Sequence, residues 1–147
     1  MTAGVFYLVR HAEAEKGSAG PDLARHLTAE GRSRFGAHAA ALAPALRLSR
    51  VLASPLARAR ETADLLVAAC GGRVEEAEAL APGCSSGRQV LELAQSAGAG
   101  VALVGHNPEM AEAVKLAAGQ EQKVPPGAVA AVEAGVAGYR LLWLRTP

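Results

Sequence analysis

Stretches that read as buried strands alternate along this chain with stretches that read as helices, and this alternation limits the possible folds more than any other feature. Val5-Phe6-Tyr7-Leu8-Val9 is an apolar, β-branched and aromatic run, long enough for one buried strand. Residues 50–53 give a short second strand, 73–76 an edge-like third, and 101–104 a buried fourth. Helical patterns fill the intervals. Thr28 stands as the N-cap of a helix whose Phe35, Ala39, Leu42 and Leu46 share one face, and Pro44 ends or kinks it near Ala43. Ser54-Pro55 reads as an N-cap followed by proline at the first helical position. That helix runs through Leu56, Ala59, Ala63, Leu66 and Ala69 to Gly71-Gly72. Val90, Leu91 and Ala94 mark a third helix ending at Gly98. Asn107 caps and Pro108 opens a fourth, which runs to about Gly119. Residues 128–133 and 139–145, joined by a glycine-containing turn, form a hairpin. The expected fold is therefore α/β: a three-layer sandwich with a mostly parallel central sheet, helices on both faces and a C-terminal antiparallel hairpin.

The chain has 147 residues, which predicts one domain over 1–147. Only 3% of the residues are aromatic, so the core must be built mostly from Ala, Val and Leu. A net charge of +1, without a basic stripe, argues against a nucleic-acid partner. No apolar run approaches the length of a membrane span, and the N-terminus lacks the order of a signal peptide, so a cytoplasmic protein is expected. Cys70 and Cys84 lie outside any Cys-x-x-Cys pattern and read as reduced thiols. Residues 16–22 read as a surface loop bordering whatever binds at the end of the first strand, and His38 as a partly exposed helix residue.

Three strand-to-helix junctions share one property. The first strand ends in Arg10-His11, Arg58 lies one turn into the second helix, and the fourth strand ends in His106. In a parallel sheet these junctions fall on the same edge, where open α/β sheets bind ligands. Arg58 is the informative residue, because a cation in the first turn of a helix opposes the macrodipole and costs up to about 1 kcal/mol unless something compensates. Arg60 compounds the conflict, and Glu61 is the neighbour expected to relieve it. Two arginines, two histidines and two helix N-termini on one edge make an anion site, and phosphate is the anion that arginine forks fit best.

Four segments carry a family resemblance. Leu8-Val9-Arg10-His11-Ala12-Glu13-Ala14 resembles the opening motif of the histidine phosphatase superfamily, which reads Arg-His-Gly in most members. Leu27-Thr28-Ala29-Glu30-Gly31, the run from Ala53 through Arg58 to Thr62, and Val104-Gly105-His106-Asn107-Pro108 match that family's later motifs in order and spacing. The resemblance covers Val5 to about Leu116 and fits the last hairpin more loosely. The short length, without an inserted cap domain, is similar to the small bacterial phosphohistidine phosphatases of the SixA type.

The resemblance implies that His11 is the nucleophile taking up the phosphoryl group, and that Arg10, Arg58 and His106 hold its oxygens. The chemistry is consistent, since a neutral imidazole with a pKa of about 6.5 is nucleophilic at pH 7 without a separate base. No cofactor and no metal is expected. Two departures stand out. Ala12 replaces the usual glycine, adding a methyl group beside the phosphate loop. The general acid that larger members supply after the third strand is missing, which leaves Glu13 and Glu78 as candidates. A phosphohistidine leaves as neutral imidazole, whereas an ester's alkoxide needs a proton, so a P–N substrate on a protein is favoured over a small phosphate ester. The other readings are a phosphomonoesterase on the same scaffold, a non-catalytic phosphate-binding module, and a metal site of His11, His106 and Glu13. Arg10 and Arg58 would repel the cation of the last.

Overall fold

A computed structural model of the chain describes residues 4–16 and 25–147. Of the expected loop over 16–22, all but Lys16 lies outside the described residues. Six strands form one sheet in the order β3-β2-β4-β1-β5-β6: β1 (Gly4–Arg10), β2 (Arg50–Ala53), β3 (Val74–Glu76), β4 (Val101–Gly105), β5 (Val129–Gly135) and β6 (Gly138–Arg145). The first four pair in parallel, while β5 pairs antiparallel to both β1 and β6. The expected α/β sandwich with a C-terminal antiparallel hairpin is the observed architecture.

Among the described residues four α-helices cover the sheet: α1 (Ala29–Leu42), α2 (Ala57–Cys70), α3 (Gly87–Ala97) and α4 (Glu109–Ala118). The strands sort their side chains by parity, as the period-2 pleat requires. Phe6, Leu8 and Leu103 face a cluster with Val90 and Leu91 of α3 and Met110 and Val114 of α4. Tyr7, Val9 and Val104 face the other way, onto Phe35 and Leu42 of α1 and Ala63 and Leu66 of α2. Both faces are apolar, so the central strands read as continuous hydrophobic runs rather than alternating ones. At full burial each Leu or Val contributes roughly 1.5–3 kcal/mol.

The helix boundaries correct the sequence reading in two places. Pro55 precedes α2 instead of opening it: the N-cap is Leu56, which makes no side-chain cap, and Ser54 lies further back. Pro108 takes the N-cap position of α4, although Asn107 still serves the helix end, its Oδ1 accepting the Ala111 N–H at 3.1 Å. At α1 local chemistry decides as expected. Thr28 caps α1, accepting from the Gly31 N–H, and Pro44 ends it in a short 3-10 turn (Ala43–Ala45). Ser86 and Gln89 form a reciprocal capping box on α3.

In the hairpin, a bulge between Ala131 and Val132 of β5 leaves Leu142 of β6 without an opposite residue. Among the described residues no helix is long and apolar enough to cross a membrane. Cys70 and Cys84 are free thiols.

Candidate active site

The carboxyl ends of β1, β2 and β4 meet on one edge, and backbone bonds fix the turn that leaves β1. The His11 N–H donates to Gly105 O at 3.0 Å, next to the last β1–β4 register pair, Arg10 with Gly105. From the other side the Gly127 N–H reaches Arg10 O (3.1 Å) and His11 O (3.0 Å), and the Arg10 N–H donates to Ala128 O. Gly127 has a φ of +83°, and a Cβ there would come 2.7 Å from Pro147 Cγ, so this contact needs glycine.

His11 is 8% exposed, and its Nδ1 lies 2.7 Å from Ala12 O. A carbonyl oxygen can only accept, so Nδ1 carries the proton and Nε2 keeps its lone pair. Burial pushes the imidazole down to about 4; the Ala12 carbonyl opposes this, and Arg58, Arg10 and Arg25 add to it. The ring is therefore neutral at pH 7.

Arg58, in the first turn of α2, is only 5% exposed, so the cation that the helix dipole disfavours is also buried. Its carbonyl accepts from the Thr62 hydroxyl at 2.8 Å, and Thr62 Oγ1 in turn accepts the Ala12 N–H at 2.9 Å. Arg10 donates from Nη1 to Val124 O at 3.1 Å. His106, immediately after β4, is 3% exposed, and its Nε2 lies 2.8 Å from Ser54 Oγ. Its ring stands 5.1 Å from that of His11, centroid to centroid, tilted by 56°. Arg10, His11, Arg58 and His106 are thus brought to one edge, and Arg25 joins them, held by an Nε bond to Glu15 O.

The carboxylates sit elsewhere. Glu13 Oε1 accepts from the Thr28 hydroxyl at 2.8 Å, tying it to the start of α1. Glu78 is exposed in a 3-10 turn (Glu78–Leu80) on the same sheet edge, where Ala77 N–H donates to Ala53 O. Among the described residues neither is bonded to His11. No group of three His, Cys, Asp or Glu suited to a metal ion occurs among them either, so His11, His106 and Glu13 do not form a ligand set.

Arg60 is relieved by a residue other than the one expected: its Nη1 pairs with Glu76 of β3 at 2.6 Å. Glu61 instead accepts from the Leu27 N–H and His26 Nδ1, both at 2.8 Å, and lies 3.4 Å from Arg32. The Ala12 methyl expected beside the phosphate loop has a defined place. Ala12 is 2% exposed and belongs to the apolar cluster that holds Leu27 and Phe35, so its side chain fills core.

Ser54 and Thr62 are the site residues that sequence reasoning missed, both of them fully buried. The available signal was at Thr62, a hydroxyl falling on the same helix face as Ala59, Ala63 and Leu66.

Comparisons with known proteins agree with this architecture. The model of the histidine phosphatase superfamily (branch 1) matches residues 6–112. No curated protein matches. A structure proposed to be the phosphohistidine phosphatase SixA of Agrobacterium tumefaciens superposes with a TM-score of 0.86 at 24% identity, covering 100% of both chains. The protein histidine phosphatase SixA complexed with tungstate gives 0.82 at 22% identity over 97% of each chain. A mutant phosphoserine phosphatase from Entamoeba histolytica, in complex with phosphoserine, gives 0.73 at 14% identity over 97% of this chain and 96% of that one. At such identities these likenesses concern the fold. The family match spans most of the chain and takes in Arg10, His11, Arg58 and His106, and the chain belongs to branch 1 of the histidine phosphatase superfamily.

Proposed function

We propose that this protein is a phosphatase that works through a covalent phosphohistidine on His11, and that its preferred substrate is phosphohistidine on a protein. One observation carries the reading: His11 is buried among arginines, neutral at pH 7, with its proton on Nδ1 and the lone pair on Nε2. Family membership and the likeness to SixA structures, one of them holding the phosphate-like oxyanion tungstate, support it.

In the first step Nε2 attacks phosphorus, the bond to the leaving group breaks, and phospho-His11 forms. Arg10, Arg58 and His106 hold the three equatorial oxygens, where charge spreads in the transition state. In the second step water attacks phosphorus, the P–Nε2 bond breaks, and orthophosphate leaves with His11 restored. One hard displacement thereby becomes two easier ones.

Phosphohistidine is preferred because of what stands near the site. Glu13 is bonded to Thr28 and Glu78 is exposed, so neither is held ready to protonate an alkoxide. A phosphoimidazole already protonated on its ring leaves without that help. Turnover of a phosphohistidine protein, measured beside a panel of phosphate esters, tests both levels of the proposal. Faster turnover of the phosphohistidine protein is expected. Equal or faster turnover of esters would make the protein a phosphomonoesterase, and turnover of neither would leave a phosphate-binding module. Labelled substrate should also leave an acid-labile, base-stable label on the quenched protein, absent from His11→Ala.

A further inference from the structure

Ser54 is fully buried at the end of β2, with its own N–H bonded to Val104 O at 3.0 Å. Its hydroxyl oxygen accepts the Leu56 N–H at 3.3 Å and has one proton to give. The acceptor bonded to it among the described residues is His106 Nε2, at 2.8 Å. The reverse assignment, with Nε2 donating, would leave a buried hydroxyl proton without an acceptor, which folded proteins avoid. A neutral His106 therefore carries its proton on Nδ1.

His11 carries its proton on Nδ1 as well, fixed by Ala12 O. The two rings, 5.1 Å apart, share a tautomer but present opposite atoms. His11 works through the bare Nε2, whereas on His106 that nitrogen is taken by Ser54. We propose that Ser54 is a positioning residue that fixes His106 as an Nδ1–H donor, so that a neutral imidazole, without having to become imidazolium, hydrogen-bonds the phosphoryl group that His11 attacks. Only the role given to this donor rests on the phosphatase reading; the tautomer does not.

The test combines a spectrum and a rate. In the nitrogen spectrum of histidine-labelled protein, at a pH where the ring is neutral, His106 Nδ1 should fall in the protonated range and Nε2 in the unprotonated range. The His106→Gln spectrum identifies the signals. Ser54→Ala should drive the ring toward a mixture of tautomers. It should also lower kcat about tenfold or more with little change in KM, because the lost orientation matters where charge develops in the transition state. A proton found on Nε2 in the wild type overturns the proposal, and that measurement stands even if Ser54→Ala fails to fold. An Ser54→Ala protein with unchanged tautomer or unchanged kcat overturns it too. A wild-type protein without turnover would sink the phosphatase reading, while the spectrum would still decide the tautomer.

Discussion

The Ala12 N–H donates to the Thr62 hydroxyl at 2.9 Å across 50 residues of sequence, joining the turn that carries His11 to the helix that carries Arg58. Thr62→Val keeps the shape and removes the bond, leaving a buried N–H without an acceptor. We expect a stability loss of about 1–3 kcal/mol in urea melts and slower turnover, because His11 and Arg58 lose their common tie. A loss below about 0.5 kcal/mol, the range of ordinary surface substitutions, would show that the turn holds without Thr62.

Acid should weaken the fold through His11. Its folded pKa, about 4, lies below the ordinary 6.5, so the unfolded chain binds the proton more readily. The stability this contributes is present above about pH 6.5 and is lost as pH falls toward 4, with an upper bound on the order of 3 kcal/mol. Urea melts between pH 4 and 7 on wild type and His11→Ala check this. The wild type should lose more stability on acidification than the variant, and parallel curves would contradict it.

Arg58→Ala should slow turnover on the order of a hundredfold or more, by removing charge-assisted bonds to the transferring group. The same change removes a cation that depresses His11, so the His11 titration should move up toward 6.5. Steady-state kinetics and an NMR titration of His11 report the two effects separately. Full activity with an unmoved titration would place Arg58 outside the site.

The positive charge in the proposed mechanism comes from side chains of the protein, so exhaustive chelation should leave turnover unchanged. A rate that collapses with chelator and returns with a divalent ion would reverse that expectation.

What was legible in the sequence is what local pattern controls. The buried first strand and the helices on both faces followed from the alternating pattern, and the junctions put Arg10, His11, Arg58 and His106 on one edge. Hydroxyl and carboxylate partners were less legible, because a distant segment can outbid a local rule. Ser54 fits the helix-cap pattern, yet its oxygen serves His106, 52 residues on. Glu61 adjoins Arg60 in sequence, but consecutive helix residues do not face each other, and each found its partner on another element. Ala12 shows the same limit: the chain alone puts a methyl beside the phosphate loop, and only the path of the turn shows that it packs into the core.

β1 lies inside the sheet, bonded to β4 on one side and β5 on the other, and it delivers Arg10 and His11 directly at its end. Many catalytic groups sit on loops that come loose before the scaffold does. Here the first cooperative unit to free His11 from its neighbours would be the sheet itself. Loss of the site on heating should accordingly coincide with loss of the fold, so that the protein has no window of temperature in which it is folded but spent.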